Sequence, residues 1–223
     1  MSNITLIMTR KPLEEVDFHG NGRWGRMVVL AGARIRSAQT TSIVDLPDIF
    51  SYGVPAGMLG AMVNLGSTVA AAALGKTCIR IGHQAFALDT DGEVEVVGRF
   101  DTLERFRTDS NRSKYYVQLE PRPIKPYEIR MDISKRVKKV NTTGQCFRVH
   151  GHSTSSQNGG TAGILIHEAP HPGWLIGCIA PREVDNKIAN HNHGPSRRAM
   201  DSLFTLLGGF SVGRKAELLV MDW

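Results

Sequence analysis

What most constrains this chain is a recurring pattern of short strand-like runs separated by turn-rich segments. Alternating or apolar runs occur at Cys78–Ile81, Glu93–Phe100, Tyr115–Leu119, Tyr127–Ile133, Cys146–His150 and Gly163–His167. Turn formers lie between them, as in Asp89-Thr-Asp-Gly92 and Thr108-Asp-Ser-Asn-Arg112. Residues 4–9 and Met27–Leu30, with Ala33–Arg36 as an extension, add strands near the start, and Glu217–Met221 adds a last one. Such spacing predicts a mainly β (α+β) fold, a largely antiparallel sandwich or barrel. One helix stands out, because Met200, Leu203, Phe204 and Leu207 fall at i, i+3, i+4 and i+7. Ser196 is placed to cap it and Gly208-Gly209 to stop it.

Residues 37–76 differ in character. They are rich in Ala, Gly, Ser, Thr and Met, and a helix is expected from about Ala56 to Leu74. The tract from Pro55 to Leu74 approaches membrane-spanning length, but Asn64, Ser67, Thr68 and the alanines dilute it. A buried small-residue helix is therefore expected and no stable span; the sharper alternative is a segment that meets a membrane during delivery. The 223 residues, 41% of them hydrophobic, suffice for a core. They are expected to form a single domain, residues 1–223, with a β-rich catalytic core of 1–19 plus 91–223. Residues 20–90 are then an insertion or accessory layer. The start of the chain lacks a charged segment followed by a long apolar one, so no secretory signal is expected.

Lysine and arginine total 27 against 21 acidic residues, a net charge of +6 that is partly local, as in Lys135-Arg-Val-Lys-Lys139. That balance suits a polyanion, an acidic cell-wall polymer or a membrane surface without selecting among them. The basic run has no interleaved aromatics, which argues against nucleic acid as a partner. Three cysteines, Cys78, Cys146 and Cys178, are too few for a disulfide scaffold. Cys78 and Cys146 sit in strand-like alternation and read as buried small hydrophobes.

Cys178 has different neighbours. In Gly163-Ile-Leu-Ile-His-Glu-Ala-Pro-His-Pro-Gly-Trp-Leu-Ile-Gly-Cys178-Ile, an apolar run ends in His167 and a Pro/Gly-rich loop leads to Gly177-Cys178-Ile179. A thiol attacks a carbonyl only when its proton is removed, and His167 is the nearest base in sequence. Gly177 leaves room for a carbonyl, and backbone N–H groups there are suited to an oxyanion. The bland alternative is a core cysteine beside a satisfied histidine.

Ile-Leu-Ile-His167 followed by Gly177-Cys178-Ile179 resembles the active-site motif of the L,D-transpeptidases, the YkuD-type catalytic domain. It is similar, more closely, to a small family of phage and secretion-associated proteins with a strand-His, a short glycine-containing loop and Gly-Cys-Ile. Asp101-Thr-Leu-Glu104 and Pro126 to Ser134 resemble hairpin segments of the same family. The resemblance implies an L,D-transpeptidase-type β core with a C-terminal helix and a helical insertion. It implies Cys178 as nucleophile, His167 as base, Gly177 and Ile179 supporting the oxyanion region, and no metal or other cofactor. His150, Trp174, Arg182 and Glu168 would line the cleft. The implied substrate is a peptidoglycan stem peptide, cleaved or transferred through a cysteine acyl-enzyme. Ala180 stands where the family carries an arginine two residues after the cysteine, and Arg182 is near enough to replace it. Leu175 and Ile176 stand where Ser or Thr usually precedes Gly-Cys. With no signal visible, action in the periplasm or cell wall implies export by a dedicated route: a phage lysis system, or type VI secretion of an antibacterial effector paired with an immunity protein.

Rival readings remain. His150-Gly-His152 and His191-Asn-His193 are candidate zinc pairs, with Glu168 or Asp185 as carboxylates, although no His-Glu-x-x-His element is present. His150 ends a second strand and is an alternative base; Trp174 is either a groove wall or a hydrophobic lid. A non-enzymatic phage or secretion structural protein is the third reading.

Overall fold

The computed structural model describes residues 3–10, 22–41, 77–81, 84–105, 119–151, 163–175, 177–184 and 193–222. Eleven strands and one α-helix lie among them. The strands are β1 (Asn3–Arg10), β2 (Gly22–Gly32), β3 (Ile35–Thr41), β4 (Thr77–Ile81), β5 (Gln84–Thr90), β6 (Val94–Arg105), β7 (Arg122–Ile133), β8 (Gln145–His150), β9 (Leu165–Ile166), β10 (Ile179–Arg182) and β11 (Lys215–Asp222); the helix α1 is Gly194–Leu206. The fold is mainly β, as the alternation predicts. The expected helix over 56–74 and the run from Tyr115 to Gln118 lie outside the described residues, and Leu119 is not in a strand.

Eight strands close into a barrel in the order β1-β11-β7-β8-β9-β10-β6-β2, and β3-β5-β4 form a separate sheet. Pairing is antiparallel except for β1 with β11 and β9 with β10. In β7, Pro123 and Pro126 lack the N–H that a ladder needs. The β7–β11 register slips there: Leu218 faces Tyr127 while Val220 faces Arg122.

Alternation divides each strand between two faces. Leu6, Met8, Met27, Phe100, Ile129, Phe147, Ile166, Ile179 and Leu218 share the barrel's interior core. Helix α1 adds Ala199, Met200, Leu203 and Phe204 to it, with Phe204 stacked on Phe147 at 5.0 Å between centroids. Burying such side chains contributes about 1.5–3 kcal/mol each. A second core, with Ile7, Val28, Leu30 and Leu219 from the barrel and Ile35, Ile79, Phe86 and Leu88 from the small sheet, joins the two sheets.

Three sequence expectations change. β2 is a barrel strand, paired with both β1 and β6, although it falls within the stretch assigned to an accessory layer. Of the described part of that stretch, β3, β4 and β5 make the separate sheet. Ala33–Arg36 does not prolong β2, because the chain breaks after Gly32 and β3 starts in the other sheet. Ser196 is no cap: it is a fully buried helix residue, and His193 occupies the N-cap position without a side-chain bond to the helix's first turn. The glycine stop does form. Gly208 takes a φ of +81°, its N–H bonds Thr205 O, and Gly209 N–H bonds Phe204 O, the hydrogen-bond pair of a Schellman end.

Candidate functional site

β8, β9 and β10 lie side by side. Phe147 pairs with Ile166, and Ile166 with Ile179. All three point into the barrel interior. Their neighbours in sequence therefore face outward: Cys146 and Arg148, Leu165 and His167, Cys178 and Ala180. Arg148 pairs with Leu165. The Ile166–Ile179 pairing sets Cys178 beside Leu165 and His167 beside Ala180. Cys178 and His167 are thus diagonal neighbours on one face of adjacent strands. Strand spacing and rise put their Cα atoms about 8 Å apart. His150 also faces outward, but on β8, two strands from Cys178.

The His167 backbone N–H donates to Ile179 O at 2.9 Å, which locks the two strands. Ile179 itself points into the interior. The His167 ring is buried, and its Nδ1 lies 2.7 Å from Glu168 O. A carbonyl only accepts, so Nδ1 carries the hydrogen and Nε2 is left with a lone pair. Burial pushes the imidazole pKa below 6.5, against the upward pull of the Glu168 carbonyl and carboxylate. The ring is therefore a neutral base at physiological pH.

Gly177, at φ +75°, turns the chain into Cys178, a conformation that L side chains rarely adopt. Cys178 is half-buried. It packs against Trp24, Leu103, Leu175 and Ala180 on one side and against Val137, Cys146 and Leu165 on the other. Burial raises its thiol to about 11; a hydrogen bond to the Leu165 backbone and the charges of Arg136 and Arg148 act the other way. At rest the two groups are a thiol and a neutral imidazole, not a thiolate–imidazolium pair.

Glu168 is buried and its carboxylate is well held. Arg197 donates to Oε1 at 3.2 Å and to Oε2 at 3.4 Å, Asn141 donates to Oε2 at 3.4 Å, and His193 Nδ1 lies 3.2 Å from Oε1. It lines a cavity of about 440 Å³ with Lys138, Lys139, Asn141, Thr143 and Arg197. Val137, the residue before Lys138, belongs to the apolar cluster on which Cys178 packs.

Arg182 does not line the cleft. It is fully buried and its Nη1 donates to Ala169 O at 3.3 Å and Pro170 O at 3.2 Å. Its position in the sheet opposite Asp101 supplies a countercharge. Arg182 thus fixes the loop after His167, and no substrate carboxylate reaches it. Ser196 braces the same loop: it accepts from Ala169 N–H at 3.1 Å and donates to Pro181 O at 2.8 Å. In the loop's 3-10 turn, Pro172–Trp174, the His171 ring accepts from Gly173 N–H, and Trp174 is 44% exposed. Trp174 is thus not a lid sealed on the core.

Of the zinc pairs, His152 and His191 lie outside the described residues, and His193 is engaged by Glu168. Gly151, at φ +81°, ends β8 immediately after His150. Among the described residues no three metal-ligating side chains cluster. Sequence reasoning missed Arg136, Arg148, Asn141 and Arg197. The one available signal was the basic run at Lys135–Lys139, whose Val137 belongs to the apolar cluster on which Cys178 packs. Comparison of the chain with protein-family models, curated proteins and solved structures finds no match.

Proposed function

We propose that the protein is a cysteine acyl-transferase or amidase of L,D-transpeptidase type, with Cys178 as nucleophile and His167 as base, acting on peptidoglycan stem peptides. The observation that carries this is the placement of Cys178 and His167 as diagonal neighbours on one sheet face, with the imidazole tautomer fixed by Glu168 O. A thiol at about 11 and an imidazole below 6.5 favour proton transfer during attack over a preformed ion pair. His167 Nε2 takes the thiol proton as the sulfur bonds to the amide carbon. The Cys178 N–H, presented by the Gly177 turn, steadies the oxyanion. His167 then passes the proton to the leaving amine as the C–N bond breaks. An amine or water attacks the thioester carbon and gives its proton to His167; the C–S bond breaks and His167 returns that proton to the sulfur, restoring the thiol.

The mainly β barrel with a C-terminal helix is compatible with an L,D-transpeptidase-type core. On this reading the protein works in the periplasm or cell wall after dedicated export, as a phage cell-wall enzyme or a type VI effector with an immunity partner. Among the described residues no helix is long and apolar enough to cross a membrane. The test is incubation with purified muropeptides, read by mass spectrometry. Wild-type protein is expected to give a Cys178 acyl adduct or new products, and Cys178→Ala neither. His167→Ala is expected to be slower by roughly 10²–10⁴-fold. Undiminished turnover by Cys178→Ala would end this reading.

A further inference from the structure

Arg148, Leu165 and Cys178 form one row across three strands on the outer face. Arg148 is partly exposed, and its Nε bonds Asp132 Oδ2 at 2.6 Å, leaving the outer guanidinium nitrogens for another acceptor. Arg136 approaches from a different element. It is exposed, at the head of the turn whose Val137 belongs to the apolar cluster on which Cys178 packs, and its guanidinium makes no hydrogen bond or ion pair among the described residues. Two positive charges on different elements therefore act on the sulfur, one of them, Arg148, in its own row, with one carboxylate, Asp132, on the neighbouring strand β7. On the remaining side the cysteine meets apolar surface from Trp24, Leu103 and Leu175. Arg182, the arginine nearest in sequence, is buried and engaged elsewhere.

We propose that Arg136 and Arg148 form an anion subsite at the lip of the Cys178 face, which receives a carboxylate of the substrate flanking the carbonyl that Cys178 attacks. This rests on Cys178 as the reacting group. It narrows the substrate class to peptides with a free carboxylate close to the scissile amide. Both arginines also act to lower the Cys178 thiol pKa, as charges near the sulfur must. In the same field a carboxylate docks before the thiol ionises. A planar guanidinium suits a carboxylate better than an ammonium does, because it offers two parallel N–H donors.

The test needs no natural substrate. Iodoacetate and iodoacetamide alkylate the same thiolate but differ by one negative charge, so the ratio of their rates at one pH cancels the thiolate fraction. Rates are read by mass spectrometry of the Cys178 peptide; fully buried Cys146 is the internal control. Each arginine is expected to raise the iodoacetate preference about threefold over that of N-acetylcysteine, the order of the Coulomb effect of one nearby charge in water. The preference is expected to collapse at about 1 M salt. Arg136→Gln and Arg148→Gln should each lower it about threefold, Arg148→Lys should keep most of it, and Asp132→Asn should raise it. The salt titration and the opposite sign of Asp132→Asn hold even if one variant folds poorly. A ratio equal to that of N-acetylcysteine, with iodoacetamide still labelling Cys178, overturns the subsite and leaves the acyl-transfer reading standing. Failure of both reagents to label Cys178 in the native protein overturns both.

Discussion

The Cys178 sulfur is held in an unreactive state that only its surroundings can release. Trp24, Leu103, Leu175, Val137, Cys146 and Leu165 remove water from it, and that loss outweighs the pull of two arginines, leaving the thiol near 11. Iodoacetamide alkylation of Cys178 is therefore expected to climb about tenfold per pH unit through pH 8 to 10, where an ordinary cysteine levels off near 8.5. Because His167 is neutral rather than paired as an imidazolium, His167→Ala should leave that alkylation profile nearly unchanged while slowing turnover roughly 10²–10⁴-fold. An ion pair behaves oppositely: its loss would move the alkylation midpoint upward. The acid limb of kcat/KM should lie below pH 6.5, since the lowered imidazole pKa keeps the base unprotonated down to that range. A midpoint near 8.5, or one shifted by His167→Ala, contradicts the neutral pair.

At the scale of elements, local chemistry was readable and pairing was not. The strand at residues 4–9, the apolar half of β7, β8, β11 and the periodic face of α1 follow from alternation and 3.6-residue spacing, which depend on neighbours in the chain. The same signal marked Cys178 and His167 as unusual. Register depends on which strands pair and on the turns that join them, so residues adjacent in the chain do not reveal it on their own. Hence the Arg148–Leu165–Cys178 row was invisible, and Arg182 was mistaken for a cleft residue on proximity alone. Ser196 was mistaken for a cap by the same kind of reasoning: a serine near a helix start usually caps, but this one bonds outward to two other segments. It joins α1 to the loop after His167 through Ala169 N–H and to β10 through Pro181 O. Ser196→Ala should cost about 1–3 kcal/mol in urea unfolding, because it strands a buried donor and a buried acceptor. Ser196→Thr, which keeps the hydroxyl, should recover part of that if the added methyl is accommodated. A loss below about 0.5 kcal/mol for the alanine variant would mean that water replaces both bonds.

Across the whole molecule, closure of the barrel depends on strands far apart in sequence. β1 sits between β2 and β11, so the first and last described strands are parallel neighbours. Inside this closure lies a charged pair. Arg10, at the end of β1, donates through Nε to Glu104 Oε2 at 2.7 Å and through Nη2 to Oε1 at 3.0 Å. The two side chains are 2% and 3% exposed, and the bond reaches over β2 to β6. A buried pair of this kind need not stabilise the fold relative to apolar residues of equal volume, because both charges lost their water. Breaking it from one side is another matter. Glu104→Gln takes the carboxylate away from the buried Arg10 guanidinium and should cost about 3–5 kcal/mol. Arg10→Met with Glu104→Leu removes both charges and should restore most of that loss. Denaturant midpoints at constant m-value measure both effects. If the double variant is as unstable as the single one, the pair specifies the meeting of β1 and β6 beyond its charge balance. If Glu104→Gln costs less than about 1 kcal/mol, Arg10 has found water or another acceptor, and the barrel end is not the dry closure described above.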